Sequence, residues 1–159
     1  MKFIALIFVA IFLTFFLFFI IVLSNRSSQV QNSATQKEFL KGKVPSAAPN
    51  GFYKGSVGGL KTPWQGKKFN AVNSTGVNIL KKDGNNAEAF PFKTYVGKGI
   101  ADKKLDVFKI DYSSNRKPWW IKFVLDEVVE TSPGHLLGKA HLTFIPDFPF
   151  TVGFFKLER

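Results

Sequence analysis

The chain is predicted to be an all-β protein, an antiparallel up-and-down barrel of about eight strands carried behind one N-terminal transmembrane helix. Three observations predict this. Residues 3–23 form an apolar run without a single charge. From residue 51 onward, aromatic and β-branched residues recur in short segments separated by Gly, Pro, Asn and Asp, the pattern of strands joined by turns. No amphipathic pattern long enough for a helix of about ten residues follows Phe52.

The run at 3–23 contains seven Phe and one polar side chain, Thr14. As a helix it extends about 31 Å at ~1.5 Å per residue, the thickness of a bilayer's hydrocarbon layer. A helix apolar on every side presents no face to water, which argues against a core helix of a globular domain. A cleaved signal peptide has an apolar stretch of about 7–15 residues and a small-x-small cleavage site. Here the stretch is longer, and Ser24-Asn25-Arg26-Ser27-Ser28 follows it. Residues 1–24 therefore read as an uncleaved signal anchor, with the lipid bilayer as the partner of residues 3–23. Lys2 precedes the run, and Arg26, Lys37, Lys41 and Lys43 follow it. A short head with a Lys stays in the cytoplasm and a long C-terminal domain translocates largely regardless of charge. The chain is expected to be a single-pass membrane protein with its C-terminal domain outside the cytoplasm. It has no cysteine, so neither a lipidated Cys nor a disulfide contributes. The Phe- and Lys-rich composition is bacterial in style.

Residues 25–50 are rich in Ser, Asn, Gln, Ala and Lys. Such a segment buries little apolar surface to offset its ordering entropy, and it reads as a flexible linker with one helical turn at 36–41. Residues 51–159 form the barrel domain. Strands are expected at 51–57, 67–72, 76–81, 90–98, 105–112, 119–130, 135–145 and 150–158. Turns fall at Gly58-Gly59, Asn73-Ser74, Asp83-Gly84, Ser113-Ser114-Asn115, Ser132-Pro133-Gly134 and Pro146-Asp147. Closing such strands into a barrel removes exposed edges, which matters for a chain this rich in Phe.

Alternation assigns faces. Trp119, Ile121, Phe123 and Leu125 share one side of the sixth segment, and Trp120, Lys122, Val124 and Asp126 the other. In the seventh, Leu136, Gly138, Ala140, Leu142 and Phe144 share a face opposite His135, Leu137, Lys139, His141 and Thr143. The small Gly138 and Ala140 leave volume for a neighbouring side chain or a ligand.

Two resemblances follow. The stretch from Gly59 through Thr62-Pro63-Trp64-Gln65-Gly66-Lys67-Lys68-Phe69 is similar to the Gly-x-Trp-x-Gly-Lys-x-Phe signature of a small bacterial domain family of unknown function, with Thr62 in place of the first Gly. Residues 51–159 also resemble the lipocalin and fatty-acid-binding barrels in strand count and aromatic load. Gly51-Phe52-Tyr53 stands where those proteins carry an early Gly-x-Trp. The resemblance implies a calycin-like barrel with an apolar interior, and fold alone does not license a function.

Three groupings are candidates for chemistry. Asp126 and Glu127, followed by His135, Lys139 and His141, are candidates for general acid–base work. The two carboxylates point to opposite faces, and His135 and His141 lie about 20 Å apart along a strand, too far to share a metal. No metal site and no cofactor are expected, and hairpin-surface pairing with lysines competes with the catalytic reading. The turn from Asp111 to Trp120 runs Arg116 and Lys117 directly into Trp119-Trp120. It reads as a ligand portal, as a headgroup contact, or as a turn with Trp119 in the core. Lys67 alternates with Lys68, so one of the two faces inward and needs a partner, for which Asp111 and Asp126 are available. There is no phosphate-binding loop, since Gly55-Ser56-Val57-Gly58-Gly59 and Gly97-Lys98-Gly99 lack the Gly-Lys-Ser/Thr ending. Gly-x-Ser-x-Gly, His-Glu-x-x-His and a Cys nucleophile are all missing from the sequence.

The net charge of +11 suits an anionic partner and equally serves to keep a Phe-rich domain soluble. The lysines never run longer than two, and with the anchor this argues against nucleic acid. The leading expectation is a membrane-anchored binding module for a hydrophobic, anionic small molecule such as a lipid or fatty acid, with Trp64, Lys67, Arg116 and Trp119 lining or guarding the site. The alternative is a non-catalytic structural or interaction domain of the cell envelope with a packed interior. The third is an isomerase- or hydrolase-like enzyme using Asp126 or Glu127 with His135.

Overall fold

The computed structural model describes residues 2–159; Met1, and the side chains of Lys2, Phe3 and Ala5, lie outside the described residues. Helix α1 (Lys2–Gln31) and a short α2 (Ala34–Phe39) precede eight strands: β1 (Gly51–Ser56), β2 (Trp64–Asn70), β3 (Thr75–Lys82), β4 (Asn85–Lys98), β5 (Asp106–Asp111), β6 (Val124–Ser132), β7 (His135–Leu142) and β8 (Phe150–Glu158). Each strand pairs antiparallel with the next, and β8 closes on β1 to complete the barrel.

The interior is aromatic. Phe69 meets Tyr53 and Phe92 edge-on, both at 5.5 Å between ring centroids, and Phe92 meets Tyr112 at 5.6 Å. Trp64 stands edge-on to Phe155 at 5.6 Å, an arrangement that suits the ring quadrupoles. The space left by Gly138 is occupied by the Phe155 ring, into which any Cβ at that position would run. Of the two uses expected for that volume, a neighbouring side chain is the one observed.

The sixth strand begins at Val124 rather than at 119, and Ile121–Phe123 is a 3-10 turn. The extended reading of 119–123 is therefore corrected, and with it the face assigned to Trp119. Pro118 has no N–H to give a ladder. The Ile121 N–H bonds back to the Pro118 carbonyl and the Phe123 N–H to that of Trp120, so the backbone satisfies itself locally.

Helix α1 is long and apolar enough to cross a membrane. Thr14, the polar exception, spends its hydroxyl on the Ala10 carbonyl at 2.9 Å, which removes the cost of a free donor in an apolar medium. The helix continues past the apolar run to Gln31 and lies across β8. A bulge in the β7–β8 pairing explains the fit. Ala140 pairs with Gly153 and His141 with Thr151, leaving Val152 as the extra residue. Helix α1 takes up the backbone groups there: Arg26 Nε donates to the Val152 carbonyl at 3.0 Å, and the Thr151 N–H donates to Ser27 Oγ at 3.0 Å.

The flexible linker expected at 25–50 is likewise corrected. Ser33 caps α2, its Oγ accepting from the Gln36 N–H at 3.1 Å. The helical turn expected at 36–41 falls within and just after this element. Phe39 is fully buried against Val107, Val129 and Leu137. Lys43 and Glu130 then exchange backbone hydrogen bonds of 3.1 and 2.7 Å. One large apolar residue at the right place suffices to dock a segment that composition alone reads as loose. Replacing Phe39 by Ala should therefore lower unfolding stability by about 3–5 kcal/mol, the usual cost of deleting a buried Phe. Urea denaturation of the full chain in detergent micelles measures this, and an unchanged midpoint would mean the segment is a loose tether.

Candidate functional site

Strand β6 sets two buried polar clusters back to back. Asp126 points into the barrel and Glu127 points out, as strict alternation requires.

The inner cluster is centred on Lys67. Between Trp64 and Gly66 the β2–β3 register shifts by a bulge. Gly66 adopts φ of 137°, and a Cβ there would run into the Tyr53 carbonyl, so glycine is the residue that fits. The bulge brings Trp64 and Lys67, which plain alternation would put on opposite faces, to the same inner side. Lys68 points outward to Glu88 at 3.1 Å in an exposed pair. Lys67 Nζ lies 3.0 Å from Asp126 Oδ2, one of the two partners expected for it. It also donates to Asn78 Oδ1 at 3.0 Å and to the Tyr112 hydroxyl. Trp64 Nε1 donates to Asn78 Oδ1 at 3.0 Å. Asn78 Nδ2 donates to the Phe90 carbonyl at 3.2 Å and to the Tyr112 hydroxyl at 3.0 Å. The Tyr112 hydroxyl donates to Asp126 at 3.3 Å.

The rings of Trp64, Phe92, Tyr112 and Phe155 stand around the ammonium, with centroids 5.2–5.5 Å from Nζ. Burial holds Lys67 below its ordinary pKa, partly offset by Asp126. Burial and the Asp126 charge push the Tyr112 hydroxyl well above its own. An ammonium has three donors, and Asn78, Tyr112 and Asp126 occupy all three. The expectation that Lys67 offers a free cation to a ligand carboxylate is thereby corrected, because the cage gives its charge an internal partner.

The outer cluster lies under α1, α2 and the segment joining β4 to β5. Glu127 Oε1 accepts from the Ile100 N–H at 2.6 Å and lies 3.7 Å from Lys109 Nζ. Its Oε2 lies 3.2 Å from His141 Nε2. Among the described residues these two buried atoms have no hydrogen-bond partner, neither each other nor any other group. His141 Nδ1 faces Thr151 Oγ1 at 3.1 Å, and that hydroxyl accepts from Gln31 Nε2 at 3.0 Å. Lys139 pairs with Asp102, donates to Gln36 Oε1 at 3.2 Å, and sits 4.4 Å from the Phe39 ring centroid. Burial pushes Glu127 up, but His141, the Ile100 N–H and Lys109 together outweigh it, so the carboxyl is held below its ordinary value of 4.5.

The structure separates other residues that sequence reasoning grouped. His135 is opposite Ser132 at the β6–β7 hairpin and near Glu158 at 3.9 Å, exposed to solvent. The β6–β7 register pairs Glu127 with Lys139 and Leu125 with His141. An acid–base pair of His135 with Asp126 or Glu127 is thus corrected: His141 is the histidine beside Glu127, and it is sealed. Arg116 and Trp119 sit on the exposed β5–β6 connection, away from the inner face. A surface cleft of about 600 Å³, lined by Asn50, Lys68, Phe69, Asn70 and Lys93 among others, includes none of Trp64, Lys67, Arg116 or Trp119. Among the described residues no group of three or more His, Asp or Glu is placed to hold a metal.

Sequence reasoning missed Asn78 and Tyr112 as partners of Lys67. A signal for Asn78 existed, an amide between Val77 and Ile79 in a strand pattern where Asn is depleted. Comparison of the chain with protein-family models, with curated proteins and with solved structures returned no match.

Because Glu127 is held below 4.5 in the folded state, it contributes stability above that pH. The contribution is lost as pH falls from 4.5 through the native value. Thermal melts on the acid side of pH 4.5 should show this loss, and Glu127→Gln should flatten that limb of the profile. An unchanged profile in the variant would remove Glu127 from the acid sensitivity.

Proposed function

We propose that this chain is a membrane-anchored, non-catalytic barrel, a structural or interaction module of the cell envelope whose interior is packed rather than hollow. Helix α1 provides the anchor in this reading. Among the described residues of its apolar run, nearly all side chains from Ile4 to Val22 are exposed, which in water is costly and in hydrocarbon is not. The single observation that carries the reading of the barrel is the cage around Lys67. Its donors are occupied and its surroundings are filled by four rings.

A lipid carrier needs a cavity of about 300 Å³ or more with a polar group free to orient the ligand. Here the polar group inside the barrel is engaged, so the geometry favours the packed module over the carrier. An enzyme needs a carboxylate and a base convergent in a cleft. The pair that does converge, Glu127 with His141, is fully buried. The packed barrel, docked through Arg26, Ser27 and Phe39 to its anchor, suits a part that is held in a fixed attitude to the bilayer.

Native mass spectrometry of the full chain released from detergent micelles tests the reading. At collision energies that strip lipid from an anchor helix, the mass of the chain alone is expected. One lipid per chain that survives in the wild type and is lost in Lys67→Met would overturn the packed module in favour of the carrier.

A further inference from the structure

The up-and-down topology puts the β1–β2, β3–β4, β5–β6 and β7–β8 connections at one end of the barrel. The large apolar side chains left exposed on these connections are Leu60, Trp119, Trp120 and Phe148, at 69, 69, 48 and 52 % exposure. Folding has not hidden them, although the barrel interior packs Tyr53, Phe69, Phe92, Tyr112 and Phe155 closely. The connections are tied to one another. The Thr143 N–H and hydroxyl both donate to the Phe123 carbonyl, at 2.8 and 3.0 Å. Trp119 stands edge-on to Phe123 at 6.2 Å, and Phe148 meets Phe150, which stacks on Phe144 at 5.3 Å.

This end is also continuous with the apolar run of α1, since Phe19 stacks on Phe144 with centroids 6.2 Å apart. Phe19 lies four residues inside the end of that run, about 6 Å along the helix axis. If α1 spans a bilayer, Phe144 is at the depth of the acyl-chain boundary, and the connections around it meet the headgroups. The residues there have the matching chemistry. Tryptophan favours the interface, where its ring is apolar and its N–H wet. Lys61, Arg116, Lys117 and Lys122 are exposed on the same connections and suit anionic headgroups.

We propose that this end of the barrel is a membrane seat: the exposed Trp119-Trp120 pair and Phe148 insert into the interface of the same anionic bilayer that α1 crosses. The proposal rests on α1 as a membrane span, as the preceding section reads it. The barrel then touches the membrane at two places, through its anchor and through its rim. The two contacts fix its tilt, so that the opposite end, with the β2–β3 and β6–β7 turns, faces away from the lipid.

The test uses the full chain in vesicles of phosphatidylcholine with phosphatidylglycerol, carrying acyl chains brominated near the headgroup. Bromine quenches tryptophan only at close range. Wild-type emission should be quenched, and the Trp119→Phe/Trp120→Phe variant should lose at least half of that quenching, because Trp64 is held inside the barrel. Carbonate extraction of the same vesicles reports on α1 separately. Retention with equal quenching in wild type and variant, or with none, leaves the anchor standing and overturns the seat. Release by carbonate overturns the anchor, and the seat with it. Omitting phosphatidylglycerol should reduce the quenching; equal quenching without it overturns the anionic part of the proposal.

Discussion

A lysine ammonium enclosed by aromatic rings persists only with a counter-charge and a full set of acceptors, since leaving a buried charge unpaired costs several kcal/mol, a large share of a small domain's stability. Asp126 supplies the charge, and Asn78 and Tyr112 complete the set. These four residues come from β2, β3, the end of β5 and β6. Their contacts therefore join strands that are not all neighbours, across the barrel's inside. A one-residue slip of β2 or β6 turns Lys67 or Asp126 outward and leaves the other buried alone. The pair thus penalises wrong registers in a sheet of otherwise interchangeable aromatic positions, the role in which buried polar groups are best attested. The bulge at Gly66 and the positive φ of Phe90, at 46°, serve the same network. One sets Lys67 and Trp64 on a common face, and the other accompanies the carbonyl that Asn78 uses.

Outside the barrel a second constraint operates. Strands β6 and β7 are buried on both faces, because Leu136, Val128 and Asp126 point in while Leu137, Val129 and Glu127 are covered from without. The cover consists of the end of α1, all of α2 and the β4–β5 connection. It carries polar as well as apolar contacts: Gln31 meets Thr151, and Gln36 Nε2 donates to Asp102 at 2.9 Å. The chain between the apolar run and β1 is therefore part of the fold, joined to β8 at the Val152 bulge by Arg26 and Ser27.

The fold class was legible because its signals are local and repeated. Alternation, turn residues and aromatic load placed eight strands near their observed positions, and the last strand, 150–158, matched its observed span. That one of Lys67 and Lys68 faces inward followed from alternation, and that it meets Asp111 or Asp126 from the rule that a buried charge needs a counter-charge; the structure selects Lys67 and Asp126. Three other features depend on long-range packing and were not legible. The docking of the chain from Arg26 to Lys43 centres on Phe39, whose pocket is assembled from β5, β6 and β7, with Gln31, Gln36 and Lys43 adding polar contacts. The 3-10 turn at 121–123 replaces a strand whose alternation looked sound, because Pro118 redirects the backbone. The placing of His141 rather than His135 beside a carboxylate depends on the β6–β7 register, and sequence spacing alone does not reveal it. Tyr112 escaped notice for a related reason. The expected strand 105–112 puts it on the face of Phe108 and Ile110, but its hydroxyl's partners Lys67, Asn78 and Asp126 come from β2, β3 and β6. Such cross-barrel meetings are not written in one strand's alternation.

In the proposed reading, an engaged Lys67 and a sealed outer cluster direct attention to the surface of the molecule. Both readings of function follow from whether water, and hence a ligand, reaches Lys67. A double-mutant cycle on Lys67→Met and Asp126→Leu, read by urea denaturation of the full chain in micelles, measures this most directly. In a dry, filled interior each single variant should lose about 3–5 kcal/mol, because it strands a buried charge, and the double variant should recover most of that loss. Single losses below about 1 kcal/mol that simply add would match a solvated pair, and would contradict the account by showing that the barrel is open at its centre.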